Sequence, residues 1–224
     1  MPFPDEVGRG VTVVDYQPDW PAEFTHLADR LRAAVGDRAV VIDHVGSTSV
    51  PGLAAKDCID AQIRVDTLSP DLVELLENAG FRCRPEPWNR VEISSGQRCD
   101  KLVFAPPIGE RATNVHVRLT TGPNTRYALL FRDYLRADAK ARASWGAFKQ
   151  RLSQSVHALA DYGQIKAPAT EILMLSAEHW AADTNWTLSA LTTAAATEAP
   201  DKETHQRQAP APDKTPTNPS AAPR

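Results

Sequence analysis

The sequence predicts an α/β fold: a mixed sheet with flanking helices, then a C-terminal helical layer, then a disordered tail. Three observations carry that prediction. Strand and helix signals alternate over residues 11–119, and beyond them aromatic and aliphatic side chains recur at helical spacing. From Leu188 onward there is no aromatic residue, and six of the 18 prolines fall in this stretch.

The elements follow in order. Residues 11–14, Val-Thr-Val-Val, read as a short strand. Asp19 is placed to cap a helix over residues 21–35, with Phe24, Leu27, Leu31 and Val35 on one face and Gly36 stopping it. Residues 39–45 and 58–65 read as strands. Ser69, Pro70 and Asp71 open a helix that ends at Gly80. Three further strand-like runs cover 90–94, 101–105 and 114–119. Then Tyr127, Leu130, Phe131, Tyr134 and Leu135 mark one helix, and Trp145, Phe148, Leu152, Val156 and Leu159 another. A last helix is expected over 168–182. These aromatic stripes read as core.

Composition narrows the function. Lys plus Arg is 25 and Asp plus Glu 28, a net charge of 25 − 28 = −3. That balance excludes the basic excess of a nucleic-acid binder. No apolar run approaches the ~18 residues of a spanning helix. The N-terminus MPFPDEVGRG lacks a secretory h-region. Cys58, Cys83 and Cys99 are scattered and odd in number, which suits a reduced compartment. A cytoplasmic protein with no membrane or nucleic-acid partner is therefore expected, with a folded domain over 1–187. Residues 188–224 have too little apolar surface to offset their ordering entropy.

One stretch carries chemistry. A strand runs into Gly46 and Ser47, and Thr48 and Ser49 follow; glycine permits close backbone approach, and the amides and hydroxyls suit phosphate oxygens. Asp60 lies on the next strand, where period two puts Asp60, Gln62 and Arg64 on one face. A carboxylate facing a phosphate loop is the geometry of a Mg²⁺-nucleotide site. The same residues also fit an ordinary Gly-Ser turn with a solvent-facing aspartate, and spacing does not separate the two. Asn114, His116 and Arg118 share one strand face, suited to binding an anion or, for His116, to accepting a proton. His44 precedes the loop and stands near enough in sequence to join that group. Lys56, Lys101, Arg126 and Arg132 are candidates to neutralise a phosphate, with Arg132 equally readable as an exposed helix charge.

The run HVGSTSVPGLAAKDCID at 44–60 closely resembles the signature of the GrpB-like family. The resemblance continues through Thr-Asn-Val-His-Val at 113–117 and Leu-Leu-Phe-Arg-Asp-Tyr-Leu-Arg at 129–136, and covers residues 11–182. It implies a nucleotidyltransferase-superfamily fold. Thr-Asn-Val-His-Val and the phrase Tyr-Ala-Leu-Leu-Phe-Arg-Asp-Tyr-Leu at 127–135 look most like the version of this domain fused behind dephospho-CoA kinase in actinobacteria. The chain has no Gly-rich loop ending in Gly-Lys-Ser/Thr, so kinase activity does not carry over.

By that resemblance Gly46, Ser47 and Asp60 match the family's phosphate-and-metal scheme. Taken with the reading of the residues above, Gly46, Ser47, Thr48 and Ser49, with Lys56, Asn114 and Arg118, would bind a nucleotide or other phosphate-bearing small molecule. Asp60 would hold Mg²⁺, and His116 or Glu92 would accept a proton. Active members place a second acid two residues after the first, where this chain has Gln62; Glu92 or Asp57 would have to compensate. Two readings result: Mg²⁺-dependent nucleotidyl transfer, or a catalytically silent accessory domain partnered with dephospho-CoA kinase.

Overall fold

In the computed structural model, which describes residues 3, 5, 11–156 and 158–188, the first helix sets the pattern for half the core. Helix α1 (Trp20–Val35) buries Trp20, Phe24, Leu27, Leu31 and Val35, the stripe its sequence spells out with one residue added. Asp19 holds the N-cap position in a helical conformation, and its side chain makes no cap hydrogen bond. The Trp20 indole instead donates to Asp57 Oδ1 at 2.8 Å. Gly36 ends the helix at a φ of 55°.

Strand β1 (Val13–Val14) is shorter than expected and pairs outside the main sheet with β3 (Ala55–Lys56). The main sheet is built from β2 (Ala39–Val45), β4 (Ile59–Val65), β5 (Arg82–Cys83), β8 (Leu102–Ala105) and β9 (Thr113–Leu119), in the order β2-β4-β9-β8-β5. Only β4 and β9 run parallel, which makes the sheet mixed. Helix α2 (Asp71–Asn78) lies between β4 and β5. The run at 91–94 leaves the main sheet: β6 (Val91–Ser94) forms a hairpin with β7 (Gln97–Asp100). Ser95 and Gly96 turn it at φ of 50° and 71°, the primed-turn geometry that matches strand twist.

Three helices complete the chain: α3 (Pro123–Ala137), α4 (Ala139–Ser155) and α5 (Leu159–Thr184). Two expectations are corrected here. The stripe from Trp145 to Leu159 does not lie on one helix, because Val156 is extended (φ −130°, ψ 134°) and Leu159 opens α5. Pro168 does not start the last helix but sits inside it, taking one donor from the backbone ladder. The expected tail falls, from residue 189, outside the described residues. Among the described residues no helix is long and apolar enough to cross a membrane.

The two faces of the sheet differ. Ile59, Ala61, Ile63, Val115 and Val117 pack with α1 and α2 in one apolar cluster. A second cluster joins α3, α4 and α5 to Val50 and Leu53 of the segment after β2. Between the clusters lies the polar face of the sheet, and that face holds the site.

Candidate functional site

Gly46 follows β2 with φ 69° and ψ −169°, a backbone that only glycine adopts without strain. A Cβ at this position would also overlap Asp60 Oδ2, so the missing side chain makes room for the carboxylate of β4. Ser47–Ser49 form a single 3₁₀ turn. Its hydroxyls divide: Ser49 Oγ donates to the Gly46 carbonyl at 2.6 Å, and Thr48 Oγ1 pairs with His44 Nε2 at 3.0 Å. Both residues are buried. Arg136 braces the turn by donating from Nη2 to the Ser49 carbonyl at 2.7 Å. Ser47 remains, and its Oγ accepts from Lys149 Nζ of α4 at 2.8 Å.

Strand pairing sets the floor. Asp60 stands opposite Asn114, Gln62 opposite His116 and Arg64 opposite Arg118. Asn114 Nδ2 donates to Asp60 Oδ1 at 3.0 Å. Burial raises the Asp60 carboxyl, while the Asn114 bond and the charges of Lys166, Lys56 and Arg118 pull it down. Lys149, only 2% exposed, is pushed down to about 7 by burial and by Lys166, with Asp60 opposing. Burial likewise lowers Lys166 of α5. The charges of three lysines from three elements therefore act on one carboxylate, and none of the three is in an ion pair among the described residues.

The expected polar face of β4 is not solvent-facing: Gln62 and Arg64 are fully buried. Arg64 forms an ion pair with Asp43 of β2, Nε to Oδ2 at 2.8 Å and Nη2 to Oδ1 at 3.1 Å. Arg118 Nη1 donates to Gln62 Oε1 at 2.8 Å and its Nε to Glu92 Oε1 at 3.1 Å. Glu92 also accepts from Lys101 at 2.7 Å and Asn124 at 2.9 Å. Although burial pushes Glu92 up, Arg118 and Lys101 hold it at about 2, which makes it a weak base. Burial, with Arg118, Lys101 and Arg84 close by, keeps the His116 imidazole neutral, and its buried Nδ1 has no hydrogen-bond partner among the described residues.

The structure brings together Gly46, Ser47, Asp60 and Asn114, with the charge of Lys56 acting on Asp60, and places His116 and then Arg118 with Glu92 further along the same face. It sends others elsewhere. His44 lies on the opposite face, stacked on Phe24 at 4.5 Å between ring centroids, its imidazole lowered to about 3 by burial, Arg136 and Arg132. Asp57 accepts from Trp20 and pairs with Arg111, so it cannot reinforce Asp60. Arg126 is engaged by Glu178. Arg132 is not an exposed helix charge: it is 5% exposed, paired with Asp133 and donating to the His44 carbonyl at 3.3 Å.

Lys149 and Lys166 are the residues that sequence reasoning missed. A signal existed: Lys149 falls between Trp145 and Leu152 at positions i+4 and i+7 of a buried stripe, and Lys166 follows Tyr162 by four. The donor set does not fit Mg²⁺ unaided. Among the described residues no three His, Cys, Asp or Glu side chains converge, and one Asp60 oxygen already accepts from Asn114. Cavities of about 560, 420 and 230 Å³ are lined by other residues.

Comparison with known proteins places the chain in a family. The family model described as GrpB protein matches residues 10–174. A dephospho-CoA kinase of Mycolicibacterium paratuberculosis is 36% identical over 195 residues, covering 79% of this chain and 48% of that protein. A UPF0157 protein of Halalkalibacterium halodurans is 32% identical over 148 residues, covering 64% of this chain and 70% of that one. The chain thus spans about half the length of the kinase-named relative and most of the other. Among solved structures, the conserved protein GrpB from Enterococcus faecalis is 26% identical with a TM-score of 0.63, covering 75% of this chain and 99% of that one.

Proposed function

The chain belongs to the GrpB family, and from that premise we propose that it binds a phosphate-bearing small molecule, a nucleotide by class, where the 46–49 turn meets Asp60 and the helical layer. The observation that carries this reading is the charge at the site. Lys56, Lys149 and Lys166 face a single carboxylate, and Lys149 spends its hydrogen bond on a neutral hydroxyl. Buried ammonium groups are costly unless an anion neutralises them, and a phosphate group does so. Ser47 supplies a hydroxyl, and Asn114 fixes the carboxylate beside it.

Binding is supported better than turnover. Gln62 gives no second acid, and Glu92 is bound to two cations, which leaves nucleotidyl transfer without the paired carboxylates its mechanism draws on. A second reading has its own observation: the kinase-named relative carries the matching domain in a chain about twice as long. An accessory domain acting beside a dephospho-CoA kinase is the form that reading takes.

A thermal-shift panel of ATP, dephospho-CoA and pyrophosphate against the full chain tests the proposal. A ligand present at about 100 times its Kd adds ~2.7 kcal/mol of apparent stability, a shift of several degrees. A flat panel overturns the proposal. Association with dephospho-CoA kinase alongside a flat panel favours the second reading.

A further inference from the structure

Resting on the phosphate-binding reading, we infer that this site takes a condensed phosphate group without a divalent metal, Lys56, Lys149 and Lys166 supplying the countercharge. The family resemblance leads one to expect Mg²⁺ on Asp60, and the donor set argues otherwise.

A hard dication held by few protein ligands needs charged oxygens. Here Asp60 is a lone carboxylate, and one of its oxygens already accepts from Asn114 at 3.0 Å. Two residues along the strand, where a second carboxylate would face the metal, Gln62 instead offers its Oε1 to the Arg118 guanidinium at 2.8 Å. The next acid on this face, Glu92, is bound to Arg118, Lys101 and Asn124. A metal entering here would meet fixed positive charge, whereas an anion meets matched charge.

The lysines come from separate elements, β3, α4 and α5, so their convergence is a product of the tertiary fold. Lys149 is 2% exposed, lies in no ion pair among the described residues, and donates to Ser47 Oγ at 2.8 Å. A charge-bearing group so deeply placed without an ion pair among the described residues is complementary to a ligand that brings its own negative charge. Several cations around one point suit a di- or triphosphate better than a single carboxylate ligand.

Isothermal titration of the full chain with ATP and with inorganic tripolyphosphate, each in excess EDTA and in excess MgCl₂, decides the question. Affinity in EDTA equal to that in Mg²⁺ within about twofold, or tighter, is the expected result. Binding seen only with Mg²⁺ overturns this inference and leaves the phosphate-binding reading standing. No binding under either condition overturns both. Lys149→Met keeps the apolar stem and removes the charge. It should weaken binding in EDTA by about tenfold or more, and unchanged affinity in this folded variant overturns the role given to the lysines.

Discussion

Asp43 and Arg64 show how much of the site rests on single residues. Both side chains are wholly inaccessible and pair through two contacts, 2.8 and 3.1 Å long. Burying the two charges is costly, and removing one partner strands the other. Asp43→Asn should therefore cost about 3–5 kcal/mol in a urea melt, while replacing both residues by apolar ones should cost less than either single change. A loss below about 1 kcal/mol for Asp43→Asn would show that the pair relaxes into contact with water. Gly46 is sensitive for another reason. Gly46→Ala adds a Cβ at a φ of 69° into the space of Asp60 Oδ2, so about 1–3 kcal/mol should be lost by thermal melt. Asp60→Ala in that background should recover part of it, and strict additivity would mean the two residues do not meet. In the sequence Gly46, Ser47 and Asp60 were legible, because a glycine-hydroxyl turn before a strand carboxylate is a local pattern. That Lys149 and Lys166 act on Asp60 was not, since, although their helical spacing marks them as part of buried stripes, their charges come to Asp60 from over 80 residues downstream in the chain.

Elements with a strong apolar period were read with nearly their observed bounds: α1, β2 and β4 differ from expectation by at most one residue. The exceptions have physical causes. Strand β5 has two residues and β7 carries Gln97, Arg98, Cys99 and Asp100, so neither shows an alternation to detect. Their pairing partners and the Ser95-Gly96 turn hold them in place. The break at Val156 escapes a stripe argument because apolar residues continue at the right spacing on both sides of an extended residue. At the preceding junction Asp138 does what Asp19 does not. It separates α3 from α4 in an extended conformation, and its carboxylate accepts from the Ala141 amide at 2.8 Å. Asp138→Ala should cost about 1 kcal/mol, read as a lower urea midpoint with unchanged slope. No shift in midpoint would show that packing of Trp145 and Leu152 alone fixes the start of α4.

Across the whole molecule the site sits where two apolar clusters meet, one built on the sheet with α1 and α2 and the other on α3, α4 and α5. Lys149 links them, since α4 belongs to the second and its ammonium reaches Ser47 on the turn after β2. That position is costly in the absence of a ligand. Burial and Lys166 push Lys149 down to about 7 from an ordinary 10.5. Between those values the unfolded chain holds a proton that the folded chain does not, so this group's contribution to stability rises with pH across the window. Below pH 7 the full cost of charging it is present. The slope is at most about 1.4 kcal/mol per pH unit. Lys149→Met removes this cost, and the variant should be more stable than the parent chain near pH 7, with the gap closing toward pH 10. Urea melts of the two proteins at matched pH values measure that gap. A constant difference across the window would mean the ammonium stays charged and solvated in the folded state. A gap that closes, together with lost tripolyphosphate affinity in the same variant, would identify Lys149 as a residue kept for its ligand at the expense of the fold.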